Sequence, residues 1–130
     1  MSNKRDIQTR EDLLFMLAAF YEKAFQDELI GRFFTEVVPL DLEEHLPVIT
    51  DFWEAIVFGQ HTYRKNVMAV HQHIHQLSPI YKEHLDRWVE IFISNVDEFF
   101  AGEKADLVKH RAASIATLMN MKLNNPIGKL

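Results

Sequence analysis

The stretch from Thr9 to Phe25 reads TREDLLFMLAAFYEKAF, and it decides the fold class. Thr9 places a hydroxyl ahead of a helix start, and Asp12 follows three residues on. That spacing lets each side chain accept an amide that the helix start would leave open. Leu13, Leu14, Leu17, Phe20, Tyr21, Ala24 and Phe25 then recur at the 3.6-residue period of a helix with one apolar stripe. Gly31 is expected just past its end.

The same period returns along the chain. Arg32 to Leu40 reads as a short connection carrying Phe33 and Phe34. A second helix is expected over Glu43 to Phe58, stopping at Gly59. Asp41 with Glu44 has capping-box spacing, but Pro47 would remove a backbone bond inside that helix, so it starts nearer Glu44 or bends. His61 to Val67 reads as irregular, with a short helix over Val67 to Gln72. Ser78-Pro79 is a cap followed by a first-turn proline. It opens a long helix with Leu85, Trp88, Val89, Phe92, Val96 and Phe99 on one stripe. Gly102 separates a last helix carrying Ala105, Val108, Ala112, Ile115, Ala116 and Met119. The tail to Leu130, from Asn120–Met121 on, is expected to fray. No run alternates convincingly as a strand, and there is no internal repeat. The expectation is an all-α chain forming one domain over residues 1–130.

Composition narrows the function. A net charge of −5 and a pI near 5.8 argue against nucleic acid or an anionic membrane as partner, since both select basic patches. There is no cysteine, which excludes disulfides, thiolate metal sites, iron–sulfur clusters and covalent haem attachment. Met1 to Thr9 carries no apolar leader, and no window is apolar enough to span a bilayer, so a cytoplasmic protein is expected. Ten phenylalanines against four glycines favour a tightly packed aromatic core.

Several core-facing positions carry polar handles. His45 shares the face of Ile49 and Phe52 if its helix reaches back that far. It is then either a satisfied half-buried imidazole or a ligand. His71 follows Val67, Met68 and Val70 and is a metal-ligand candidate, because a short helix can present one imidazole nitrogen. His71 and His75, at i and i+4, could hold zinc, but no acidic residue or cysteine completes that site. His61, His84 and His110 read as surface residues. Tyr21 is either a core tyrosine bonded to a carbonyl or a donor aimed at a ligand, and the Trp88 indole N–H poses the same choice. Together with Phe20, Phe52 and Trp53, these residues suit a flat, apolar, metal-bearing ligand between two histidine faces, namely haem.

Taken in order, Phe20-Tyr21-Glu22-Lys23, His45-Leu46-Pro47, Asp51-Phe52-Trp53, Val70-His71 and His84-Leu85-Asp86-Arg87-Trp88 resemble group III truncated haemoglobin. Val96 to Gly102 and Arg111 to Ala116 fit as well, and the resemblance runs from about Ile7 to Lys122. It implies a two-on-two helical sandwich around haem b. It places His71 as the proximal iron ligand and Tyr21, His45 and Trp88 on the distal face. Phe34 corresponds to an aromatic lying on the haem, and Phe52, Trp53, Met68 and Phe92 to its walls. Tyr63, Arg64 and Lys65 are candidates to meet the propionates at the pocket mouth. Lys65 and Val67 stand where the family often shows glycine and proline, and Leu85 where phenylalanine is usual. The function implied is binding of O2, and of nitric oxide or peroxide as further ligands, with a reductase as redox partner. The alternatives are a haem-dependent nitric oxide dioxygenase or peroxidase, and a cofactor-free helical interaction protein. No enzyme class is assigned.

Overall fold

The computed structural model describes residues 4–59 and 67–124. Within them, helix formation begins where the Thr9 spacing predicts. The Thr9 hydroxyl accepts the Asp12 amide at 3.2 Å, and the Asp12 carboxylate accepts the amides of Thr9 at 3.2 Å and Gln8 at 2.8 Å. Arg5 clamps the same carboxylate through two bonds of 2.8 and 2.6 Å. That guanidinium, aided by the two amides and opposed by burial, holds the Asp12 pKa down at about 2. Helix α1 (Arg10–Gln26) then buries Leu13, Met16, Leu17, Phe20, Tyr21 and Ala24. Each large apolar side chain so buried contributes roughly 1.5–3 kcal/mol.

α1 stops at Gln26, before the expected Gly31, and Asp27 is the reason. Its side chain accepts the amides of Leu29 and Ile30, both at 3.1 Å, and the Arg87 guanidinium at 2.8 Å. A carboxylate offering itself to nearby amides competes with the helix ladder and ends it. The expected connection after Arg32 is itself ordered, as a wide π-helical turn at Phe33–Val37 closed by the Val38 amide on the Phe33 carbonyl. Asp41 caps α2 (Leu42–Phe58) through the amides of Glu43 and Glu44, and Pro47 lies inside that helix. Gly59, at φ 75°, closes it as predicted.

Helix α3 (Val67–Leu77) runs five residues past the expected Gln72. Ser78-Pro79 ends α3 instead of opening the next helix, because proline cannot continue the ladder. Helix α4 (Lys82–Phe99) starts three residues later than Pro79. Helix α5 (Glu103–Asn124) extends into the expected tail, where the Asn124 amide group donates to the Ile80 carbonyl at 2.9 Å.

Packing follows from the stripes. α1 lies on α2 and α4, and α5 lies on α4 and α2, so two helices cover two. α3 sits outside this arrangement and leans on α5. Between α1 and α4, buried Asn95 donates to the Met16 carbonyl at 2.8 Å and accepts from Lys23 at 2.7 Å.

The start of α5 is capped from across the chain. The Asp6 carboxylate accepts the amides of Lys104 at 2.8 Å and Ala105 at 2.9 Å, the two donors an N-cap side chain would satisfy. Gly102 makes room for it. A Cβ there would come within 2.5 Å of Asp6 Cγ, and its φ of 142° disfavours any side chain. Burial alone would raise the Asp6 pKa, but the amides of Lys104, Ala105 and Ile7 outweigh it and hold the carboxyl below its ordinary value.

Two outcomes follow from these carboxylates. Asp6→Ala should cost about 1–2 kcal/mol in urea denaturation, and Gly102→Ala at least as much, since the new methyl displaces the cap. Asp6 and Asp12 are both depressed below the unfolded value near 3.8, so their stabilisation is present above it and fades as the pH falls towards about 2. The urea midpoint should therefore drop between about pH 5 and pH 2, and Asp12→Asn should reduce that drop. An acid profile unchanged in Asp12→Asn would show that Asp12 does not carry it.

Candidate functional site

The polar residues singled out in the sequence do meet, at the faces of α1 and α2. The Tyr21 hydroxyl lies 3.0 Å from His45 Nε2, and their rings meet edge-on with centroids 5.4 Å apart. Tyr21 is buried and His45 half-buried. α2 reaches back beyond His45 because Asp41 caps it, which puts the imidazole on the apolar face with Ile49 and Phe52. The π-helical turn delivers Phe34, whose ring stands 5.8 Å from Tyr21 and stacks on Phe25 at 5.5 Å. Phe25 was read only as a stripe residue. Its place one helical turn after Tyr21 is the signal that it would line the same site.

Trp88 joins from α4. It does not touch Tyr21 directly; Phe20 stands between them, 5.1 Å from Tyr21 and 6.1 Å from Trp88. Phe92 then links the helices, tilted on Trp88 at 5.3 Å and stacked on Trp53 at 5.1 Å, and Phe52 meets Trp53 edge-on at 5.4 Å. Trp88 also packs on a second, smaller core of Ile80, Leu85, Ala116 and Met119, which Met68 and Ile74 of α3 cover. The indole of half-buried Trp88 makes no hydrogen bond to another described residue.

His71 is half-buried on α3, on the face shared by Met68 and His75, while His73 is exposed. Met68 and Ile74 bring α3 onto the smaller core against which Trp88 also packs. His75 is occupied. Its Nδ1 accepts the Ile80 amide at 2.9 Å, so the proton of its neutral ring sits on Nε2. Neither nitrogen then presents a lone pair to a metal, which removes His75 as a rival to His71 and undoes the His71–His75 zinc pair. No group of three metal-ligating side chains occurs among the described residues.

His84 differs from its sequence reading as a surface residue. It is half-buried, its ring meets Phe33 at 5.1 Å and Tyr81 at 5.8 Å, and its Nδ1 accepts the Tyr81 amide. His110 is exposed, as expected. Tyr63, Arg64 and Lys65, the propionate candidates, and His61 lie outside the described residues.

Two helices over two, a detached α3 and a ring-lined site between α1, α2 and α4 make up the truncated-globin fold. The crystal structure of group III truncated hemoglobin from Campylobacter jejuni superposes on this chain with a TM-score of 0.81. The match covers 94% of this chain and 96% of that one at 23% sequence identity, a likeness of fold. In sequence, the chain is similar to Group 3 truncated hemoglobin ctb of Campylobacter jejuni, 25% identical over 111 residues that span 83% of this chain and 85% of the relative. The resemblance read from the motifs therefore stands. No family model matches the chain. No helix among the described residues is long and apolar enough to cross a membrane.

The occupied state of His75 has a measurable consequence. His75→Ala should lower stability by about 1 kcal/mol in urea, because the Ile80 amide loses its acceptor. His73→Ala, which removes an exposed ring, should leave the midpoint in place. Equal effects from the two would mean that His75 is not engaged.

Proposed function

We propose that the chain binds haem b and holds a diatomic ligand, O2 first, against a polar distal face made by Tyr21, His45 and Trp88. The observation that carries this is the bond between the Tyr21 hydroxyl and His45 Nε2 inside an aromatic enclosure. The donor set fits haem. Phe34, Phe52, Trp53 and Phe92 offer flat apolar walls. His71 has a half-buried imidazole on a helix outside the packed four, and His75 is excluded by its own hydrogen bond. The Trp88 indole N–H makes no hydrogen bond within the described chain that would compete with a ligand. Haem, when bound, would supply an iron able to take a small diatomic ligand, with His71 the residue to hold it.

The remaining steps belong to the side chains. One proton sits between Tyr21 and His45, and the histidine tautomer decides its use. With Nε2 protonated, His45 donates to the Tyr21 oxygen and the tyrosine proton can point at a ligand. With Nε2 bare, the tyrosine proton goes to His45. His45 thus sets whether Tyr21 acts as a donor. Trp88 donates whatever the tautomer. Each bond from such a donor to a partly anionic ligand contributes roughly 1.5–3 kcal/mol and slows release. Turnover of nitric oxide or peroxide would draw on the same donors and on electrons from a reductase outside the chain.

A visible spectrum of the purified protein tests the first claim: an intense Soret band is expected, and a colourless protein that takes up no added haem overturns it. His71→Ala should lose haem or retain it only with added imidazole, while His75→Ala keeps the band. Stopped-flow O2 release tests the second. Tyr21→Phe and Trp88→Phe should each speed release about ten- to a hundredfold, less than additively when combined. Unchanged release in both would reduce the polar face to core packing.

A further inference from the structure

At the turn between α3 and α4, two consecutive backbone amides end on histidine nitrogens. The Ile80 amide donates to His75 Nδ1 at 2.9 Å, and the Tyr81 amide donates to His84 Nδ1 at 2.8 Å. One ring comes from the last turn of α3, the other from the first turn of α4. An imidazole nitrogen accepts only when it is bare. Protonation would set an N–H against an N–H.

We propose that His75 and His84 form a latch on the α3–α4 turn, closed while both Nδ1 atoms are bare and opened when His84 takes up a proton.

The surroundings of His84 poise it for this. The ring is half-buried between Phe33 and Tyr81. Burial pushes its pKa below the ordinary 6.5, Glu83 on its own helix opposes the shift, and Arg32 from the segment before the π-helical turn adds to it. Arg32 is fixed there by the Ser78 hydroxyl at 3.0 Å and lies over the Phe33 ring. The α3 ring at the same turn is His75, on the neighbouring Ile80 amide. A histidine depressed in the folded state stabilises the fold above its unfolded pKa, and that stabilisation is lost as the pH falls through the folded value. The latch is therefore closed at neutral pH and opens in mild acid.

Opening acts first at the start of α4, where Tyr81 and His84 both lie, and so on the turn that joins it to α3. α3 meets this turn through His75 and packs against α5. The turn is also tied by the Asn124 side chain on the Ile80 carbonyl and by Arg32 on the Ser78 hydroxyl. Releasing the Tyr81 amide loosens the turn that follows the helix carrying His71. The latch itself does not depend on what His71 binds, because both its rings and both its amides belong to the turn.

The test is NMR on the full-length chain, with any haem held diamagnetic as its ferrous carbon monoxide form. At about pH 7.5 the nitrogen shifts of His84 should show a bare Nδ1 and a proton on Nε2. Between about pH 7.5 and pH 5, the exchange protection of the Tyr81 amide, corrected for intrinsic rates, should fall about tenfold or more. His84→Asn places Oδ1 where Nδ1 stood, an acceptor that does not titrate, and should make that protection independent of pH. A proton on Nδ1 at neutral pH, or equal protection at both pH values, overturns the latch. So does a pH dependence that survives in His84→Asn. The first two readouts use the unaltered chain and decide the matter even if the variant does not fold.

Discussion

The contact on which the rest of the structure hangs is the meeting of Phe20, Phe92, Trp88 and Trp53. Phe20 comes from α1, Phe92 and Trp88 from α4, and Trp53 from α2. Large rigid rings have few ways to interlock at native density, so this knot fixes how the three helices cross. Tyr21 sits on the next position of α1 and His45 two turns up α2 from Phe52. Their 3.0 Å approach is a product of the knot, not an independent event. The polar face is thus as well placed as the core beneath it. Supporting a functional group on packed secondary structure in this way gives precision that a loop would not.

Against that rigid region stands α3, joined to the body by one helix face and by the Ile80 amide that His75 holds. The molecule divides into a part that holds donors in place and a part that can yield. The residues proposed to face a ligand from opposite sides belong to these two different mechanical parts.

The four packed helices were legible because their apolar residues keep a strict period and their starts carry Thr9 and Asp41. The ring network of the candidate site was legible where it sat on apolar faces: Tyr21, Phe52, Trp53, Trp88 and Phe92. What escaped was set by side chains acting at a distance. Asp27 ended α1 early by taking the Leu29 and Ile30 amides, which a period cannot reveal. His84 looked like surface because its sequence neighbours are polar, yet its ring is covered by Phe33, 51 positions away in the chain. Ser78-Pro79 is a start signal and equally a stop signal; the chain used it to end α3, since the amides of Ile80 and Tyr81 were already claimed by two imidazoles. The role proposed for His71 rests on resemblance and on the hydrogen bond that occupies His75.

The cap on α5 binds the order of synthesis to the order of folding. Asp6 is made 98 residues before Lys104, whose amide it must cover together with that of Ala105. Closing a loop of that length is entropically slow, and it yields nothing until both ends have arrived. The start of α5 can therefore be capped only when every residue from Asp6 to Ala105 exists and the two ends of that stretch have met. The junction makes the last helix a checkpoint on the integrity of the first few residues: a chain clipped or blocked before Ile7 would have every residue of α5 and still lack what starts it.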